Sequence, residues 1–354
     1  MAKHQEVWPE NIWNIDQQIK YIQPFLGGEN VIKMLQGNKR TQRDFWLYNA
    51  FKYRDSKYSA GEALEKNILL RLNEKGTFKI TPYSNIYARI KFGNALDVKK
   101  RAYKNEVCEI SADNISSVYD LETYIYSADR ISSIGDLSEF KVGVCNFNDA
   151  DKLEEILLGK REDGYVNEHL TSFLVGSSTV LEKINISNCP NLKGGIDVTT
   201  CPILKTFLAK GSGISGVSFS KGSRITTCHL PSTVENLKLQ DLHLLNRPKT
   251  EEEELMNLPD WGLEIETNEA GKYNLQGILI ENCEHVPFFD LVMNSSKDKL
   301  TRVRITGLKW HATLKEFEDF YEVVEKLKGY DEFGSQSEKS VLEGNIYFPK
   351  GTTI

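Results

Sequence analysis

Apolar positions repeat over much of this chain. Between about 131 and 310 they follow the spacing L-x-x-L-x-L, with any aliphatic residue allowed in an L slot. Copies stand at Leu153/Ile156/Leu158, Leu170/Phe173/Val175, Leu181/Ile184/Ile186, Leu204/Phe207/Ala209, Ile214/Val217/Phe219, Ile225/Cys228/Leu230 and Val234/Leu237/Leu239. A degenerate copy starts at Lys193, with Ile196 and Val198. Two more follow an interruption, at Leu275/Ile278/Ile280 and Leu300/Val303/Ile305. The starts 170, 181, 193, 204, 214, 225 and 234 are separated by 11, 12, 11, 10, 11 and 9 residues. In alternate steps, 181, 204 and 225 form one series and 170, 193, 214 and 234 the other. Such steps fall in the leucine-rich-repeat range of about 20–29 residues. One coil cannot bury its apolar edge alone, whereas stacked coils share a continuous core. Each well-buried aliphatic contributes roughly 1.5–3 kcal/mol before entropy is subtracted. The spacing predicts a leucine-rich-repeat-like β-solenoid over 131–310.

The flanks read differently. In "NIDQQIKYIQPFLGG", Ile15, Ile19, Ile22 and Leu26 form one helical stripe, interrupted by Pro24 and ended at Gly27. "TQRDFWLYNAFKYRDSKY" (41–58) has Thr41 as an N-cap and six aromatic residues, and residues 1–75 read as a mainly helical segment. Period-two alternation of Phe78, Ile80, Ile86, Ala88, Ile90 and Phe92 predicts a small β-rich unit over 76–130. Residues 247–274 interrupt the solenoid, and Thr250 with Glu253 marks a short capped helix there. Over 311–354, Leu314, Phe317, Phe320, Val324 and Leu327 make an amphipathic helix capped by Thr313 and Glu316. "KSVLEGNIYFPKGTTI" then returns to strand texture, as in a truncated piece of something longer. The fold class expected is α+β.

A net charge of −6 argues against a nucleic-acid partner, though not against a local basic patch. No secretory signal is read in "MAKHQEVWPENIW", and no apolar run long enough for membrane insertion. Six cysteines without a CxxC suit a reducing compartment rather than a disulfide framework. Extending the template to L-x-x-L-x-L-x-x-C/N accounts for Cys189 and Cys283, and Cys201 follows the Lys193 copy. The spacing makes Cys189 and Cys201 small core residues. No metal or cofactor is expected.

Phosphate-loop, dinucleotide, zinc-protease and serine-hydrolase motifs are missing from the sequence, so no catalytic residue is assigned. The glutamate run at 251–254 suits a first helical turn, and the carboxylates of 316–325 suit a solvated helix face. The binding candidates are the residues between the last two template positions, which should point outward. These are Asn185, Asp197, Ser218, His229 and Lys238, with His229 expected in solvent. Leu157 and Leu174 fill that slot earlier, and Leu208 and Leu279 fill it elsewhere. Trp46 and Tyr48, in a segment too aromatic for one helix face, join Leu157 and Leu174 as assembly contacts.

Five stretches carry a family resemblance: "WNIDQQIKYIQPFL", "RDFWLYNAFKYRDSKYSAGEA", "ITPYSNIYARIKFG", "YIYSADRISSIGDLSEFKVGVCNF" and "INISNCPNLKGGIDVTTCPILKTFLAKGSGISGVSF". Together they resemble large virion proteins of gut bacteriophages, crAss-like phages among them, over about 12–348. The resemblance implies a structural part of the tail or its distal assembly, made in the host bacterial cytoplasm and residing in the virion. It implies a homo-oligomer whose partners are other virion proteins, copies of itself and a host-surface component, and it brings no catalytic residues. Two other readings stay open. One is a leucine-rich-repeat module gripping a host protein or glycan, and the other is a tail-borne glycan depolymerase with a carboxylate pair.

Overall fold

A computed structural model describes residues 66–255, 261–330, 336–337 and 339–349. All the strands below lie in one compact unit, Asn67–Ile354. The first group comprises β1 (Asn67–Leu72), β2 (Thr77–Pro82), β3 (Ile86–Phe92), β4 (Leu96–Ala102), β5 (Cys108–Ser111), β6 (Leu121–Tyr126), β7 (Ile131–Ser133) and β8 (Val144–Phe147). Alternation explains them. Ile68, Leu70 and Leu72 face inward from β1, and Ile86, Ala88, Ile90 and Phe92 from β3. β1 pairs antiparallel with β6 and β8, and β6 with β3, which pairs with β4. β2 pairs with β5 and β7 in a smaller sheet, and Phe78 of β2 stacks on Phe140 at 4.3 Å.

From Lys183 to Glu281 the strands alternate between two parallel sheets. β9 (Glu155–Leu157), β11 (Lys183–Asn185), β13 (Thr206–Leu208), β15 (Thr227–Leu230) and β17 (Gly262–Ile265) form one sheet. β10 (Ser172–Val175) pairs in parallel with β8. The other sheet runs β12 (Lys193–Val198), β14 (Gly213–Phe219), β16 (Asn236–Gln240), β18 (Gly277–Glu281), β19 (Arg302–His311) and, last, β22 (Val341–Tyr347). β20 (Gly329–Tyr330) and β21 (Gln336–Ser337) form a small hairpin before it. Each coil between β11 and β18 thus sends one strand to each sheet. Ile184, Phe207 and Cys228 stack in register in one, and Ile196, Val217, Leu237 and Ile278 in the other. All of these side chains are buried between the sheets.

This architecture corrects the α+β expectation. Strand takes 41% and helix 10% of the described residues, so the fold is mainly β. The stripe over 15–26 and the aromatic segment 41–58, which carried the helical expectation for 1–75, lie outside the described residues. Within that stretch Asn67–Leu72 is strand, because its apolar residues recur every second position and meet β6. The helices are short: α1 (Glu251–Leu255), α2 (Phe288–Met293) and α3 (Leu314–Val324). Each of two carries a reciprocal cap. Thr250 and Glu253 exchange backbone and side-chain bonds before α1, and Thr313 and Glu316 do so at α3. α2 and α3 close over Trp310 of β19, whose ring lies 5.3 Å from both Phe288 and Phe320. Within residues 247–274, Gly262–Ile265 rejoins its sheet in parallel with β15. Asn246 Oδ1 accepts from Leu263 N at 2.5 Å and Trp261 Nε1 donates to Arg247 O at 3.0 Å, tying the foot of the excursion. No helix among the described residues is long and apolar enough to cross a membrane.

The corners depend on left-handed backbone. Asn188 (φ 56°) stands beside Gly211 (φ 71°) of the next coil, and its Nδ2 donates to Lys160 O of the previous one at 2.9 Å. A Cβ on Gly211 would sit 2.3 Å from Asn188 Oδ1. Gly211→Ala therefore combines backbone strain with a clash. It should cost about 1–3 kcal/mol, read from urea unfolding followed by circular dichroism.

All six cysteines are buried and free. Burial pushes the Cys189 thiol up to about 12, slightly opposed by Lys141, and raises Cys283 to about 11, again chiefly through burial. A thiol raised in the folded state stabilises fully below its unfolded value and loses that contribution as pH rises through the folded one. The cysteine contribution should be flat below about pH 9 and be lost between about pH 9 and 12, read as a fall in stability over that window in urea melts at stepped pH. In native protein at neutral pH a thiol reagent should label none of the six, and in denaturant all six. Rapid labelling of folded protein would contradict the burial.

Candidate functional site

The outward slots follow from strand alternation. Ile184 and Ile186 point between the sheets, so Asn185 points away. The registers sort these slots into two separate ladders on different sheets. One runs Leu157, Asn185, Leu208, His229, Glu264. The other runs Asp197, Ser218, Lys238, Leu279, Arg304. Neighbours within a ladder are about 4.8 Å apart along the hydrogen-bonding direction. Asn185 and His229 are thus brought together with Leu157, and Asp197, Ser218 and Lys238 with each other, but the five candidates do not converge on one site. Leu174 stands on a third stretch, beside Asn146 of β8. Trp46 and Tyr48 lie outside the described residues.

The two ladders differ in what they offer. On the first, Leu208 is buried and His229, expected in solvent, is only 2% exposed. Outward direction from a strand is therefore not exposure. His229 Nδ1 lies 3.4 Å from Glu264 Oε2, and Lys210 Nζ reaches Glu264 Oε1 at 2.7 Å. The Lys210 hydrogen bond holds the Glu264 carboxyl below its ordinary range, with a smaller contribution from His229. Glu266 Oε2 accepts from Gly211 N at 2.8 Å in the same region.

The second ladder opens in its middle. Asp197 and Lys238 are exposed and Ser218 is half-buried, while Leu279 closes it at 2% exposure. Beyond Leu279, Arg304 Nε donates to Glu281 Oε1 at 2.7 Å, and Glu281 also pairs with Gln240 of the preceding rung.

Two of the candidates carry structural work. Asn185 Oδ1 accepts from Ser187 N at 3.0 Å, and Asp197 Oδ1 accepts from Thr199 N at 2.9 Å and Thr199 Oγ1 at 2.7 Å. Asn146 does the same with Asn148 N at 2.9 Å. Such Asx turns bend the chain away at the strand end. The remaining candidates able to meet a ligand with free side-chain groups are Lys238 and Ser218. Their strip, with Asp197, places a carboxylate, a hydroxyl and an ammonium on successive rungs of a parallel sheet. No group of three or more His, Cys, Asp or Glu side chains is placed to hold a metal among the described residues. The Glu264–Lys210 pair was missed in the sequence because Lys210 and Glu264 are a coil and an excursion apart. The only signal was the outward parity of Glu264.

The asymmetry between the ladders is testable. Leu208→Ala should cost about 2–3 kcal/mol in urea unfolding, as a buried leucine does. Lys238→Ala should change stability by no more than about 0.5 kcal/mol. Equal effects would mean that the ladders are equally covered. No protein-family model matches the chain, and no curated protein or solved structure matches it.

Proposed function

We propose that the chain works by protein–protein assembly and that the assembly is a phage virion, in the tail or its distal part. The virion reading rests on the resemblance of its segments to gut-bacteriophage virion proteins. The observation that carries the assembly reading is Leu174. It points outward from β10, in a hydrogen-bonded sheet, and remains 51% exposed. A leucine held at a sheet surface by a hydrogen-bonded backbone stabilises a contact with little ordering cost in the main chain. The parallel coil itself supports such a role, since stacking of identical rungs gives a stiff element whose faces keep their spacing.

The strip Asp197–Ser218–Lys238 favours a second reading, a module whose open ladder meets a host protein or glycan. In a virion the two are compatible, with apolar contacts holding the particle together and the polar strip facing a partner.

Light scattering of the purified full chain tests the assembly reading. The wild type should run above the 40.3 kDa of one chain, and Leu174→Asp should lower its mass while leaving the circular dichroism melt unchanged. A wild type that stays at one chain's mass at all concentrations, and does not join virion proteins on mixing, overturns it.

A further inference from the structure

The face formed by β3 and β4 concentrates aromatic and cationic side chains on an otherwise acidic chain. β4 is the last strand of its sheet. Ile86, Ala88 and Ile90 face inward, so Tyr87, Arg89 and Lys91 face outward. The antiparallel register sets Tyr87 opposite Arg101, Arg89 opposite Lys99 and Lys91 opposite Asp97. Directly opposite residues have Cβ atoms about 4.5–5.5 Å apart, so Tyr87 and Arg101 share one patch. Tyr87 is 69% exposed, and Tyr103, two residues beyond Arg101, is 44% exposed. The Arg101 guanidinium lies 5.0 Å from the Tyr103 ring.

The charges do not cancel. Asp97 is taken by Arg89 at 2.7 Å, and that hydrogen bond lowers its pKa. Lys100 reaches the other way, donating to Glu109 O at 3.1 Å. Lys99, Arg101 and Lys104 make no ion pair among the described residues. Two exposed phenol rings with unpaired cations beside them, on a face stiffened by cross-strand bonds, form a stacking platform with carboxylate partners.

We propose that this face binds a short anionic oligosaccharide of the uronic- or sialic-acid class. Tyr87 and Tyr103 stack on the C–H faces of sugar rings, and Arg101 and Lys99 pair with their carboxylates. A small total charge is what the patch matches, as in a short oligouronide with one carboxylate per ring. A nucleic acid brings one phosphate per ~3.4 Å of strand, and proteins that grip it through its backbone make on the order of 6–10 phosphate contacts. Three unpaired cations on a chain of net charge −6 fall short of that. An acidic peptide added as a further strand is disfavoured because β5 lies against β4. The proposal does not rest on the assembly reading, since the residues concerned are remote in sequence from Leu174 and from the polar strip.

The test uses the full-length chain and calorimetric titration with tetragalacturonate, maltotetraose and a short oligothymidine. Tetragalacturonate should bind, weaken as salt rises, and bind about tenfold more tightly than neutral maltotetraose. Tyr87→Ala and the double change Lys99→Ala/Arg101→Ala should each weaken it about tenfold with an unchanged melting curve. Tyr87→Phe should retain affinity, because stacking needs the ring and not the hydroxyl. The proposal is overturned by no binding of tetragalacturonate, by binding that survives both variants, or by oligothymidine binding as tightly.

Discussion

In-register parallel pairing between strands of three to seven residues is the constraint on which the middle of this molecule depends. A strand such as Lys183–Asn185 makes too few bonds to persist alone. It holds because β9 and β13 pair with it from both sides and because Ile184 stacks between Ile156 and Phe207. A register slip of one residue would turn Ile184 outward and Asn185 into the core, so the apolar ladder and the hydrogen-bond ladder enforce one another. The corners serve the same end. Asn188 beside Gly211, and Asn282 beside Gly307, let one backbone path recur from coil to coil. Cys189, Cys201 and Cys228 belong to this packing as small buried side chains.

The same constraint separates the outer faces. Because successive copies of the repeat go to alternate sheets, Asn185 and Asp197 lie on different sides although only twelve residues separate them. Each then serves its own strand end with an Asx turn, which occupies one side-chain oxygen of each. Coverage divides the ladders further. Leu208 and His229 are shut away, while Asp197 and Lys238 stand in solvent.

The ends of the unit are built by other means. At one end an antiparallel sheet hands over to the coil through β8, which pairs with β1 antiparallel and with β10 in parallel. At the other, α2 and α3 pack Phe288, Phe289 and Phe320 around Trp310. Phe288 and Phe320 belong to the same buried cluster as Ile280 and Ile305, so the helices continue the core at this end.

Much of this was legible in the residues alone. The spacing of Leu181, Ile184 and Ile186 fixes which side chains go inward, and Thr313 with Glu316 marks a helix start, because both are local geometric requirements. The alternation at 78–92 is legible for the same reason. Asn67–Leu72 is strand and not helix because its apolar residues alternate, and because β6, its pairing partner, comes near only when the chain folds. The run Lys99–Lys100–Arg101 carried a signal, but strand parity and the salt bridge of Asp97 decide which of its charges remain unpaired. His229 shows the general limit. Its outward direction follows from its neighbours in sequence, but its burial is decided by what packs over the sheet, and that depends on residues brought close only when the chain folds. Local periodicity thus determines direction, whereas exposure, pairing and the separation of the two faces belong to the tertiary structure.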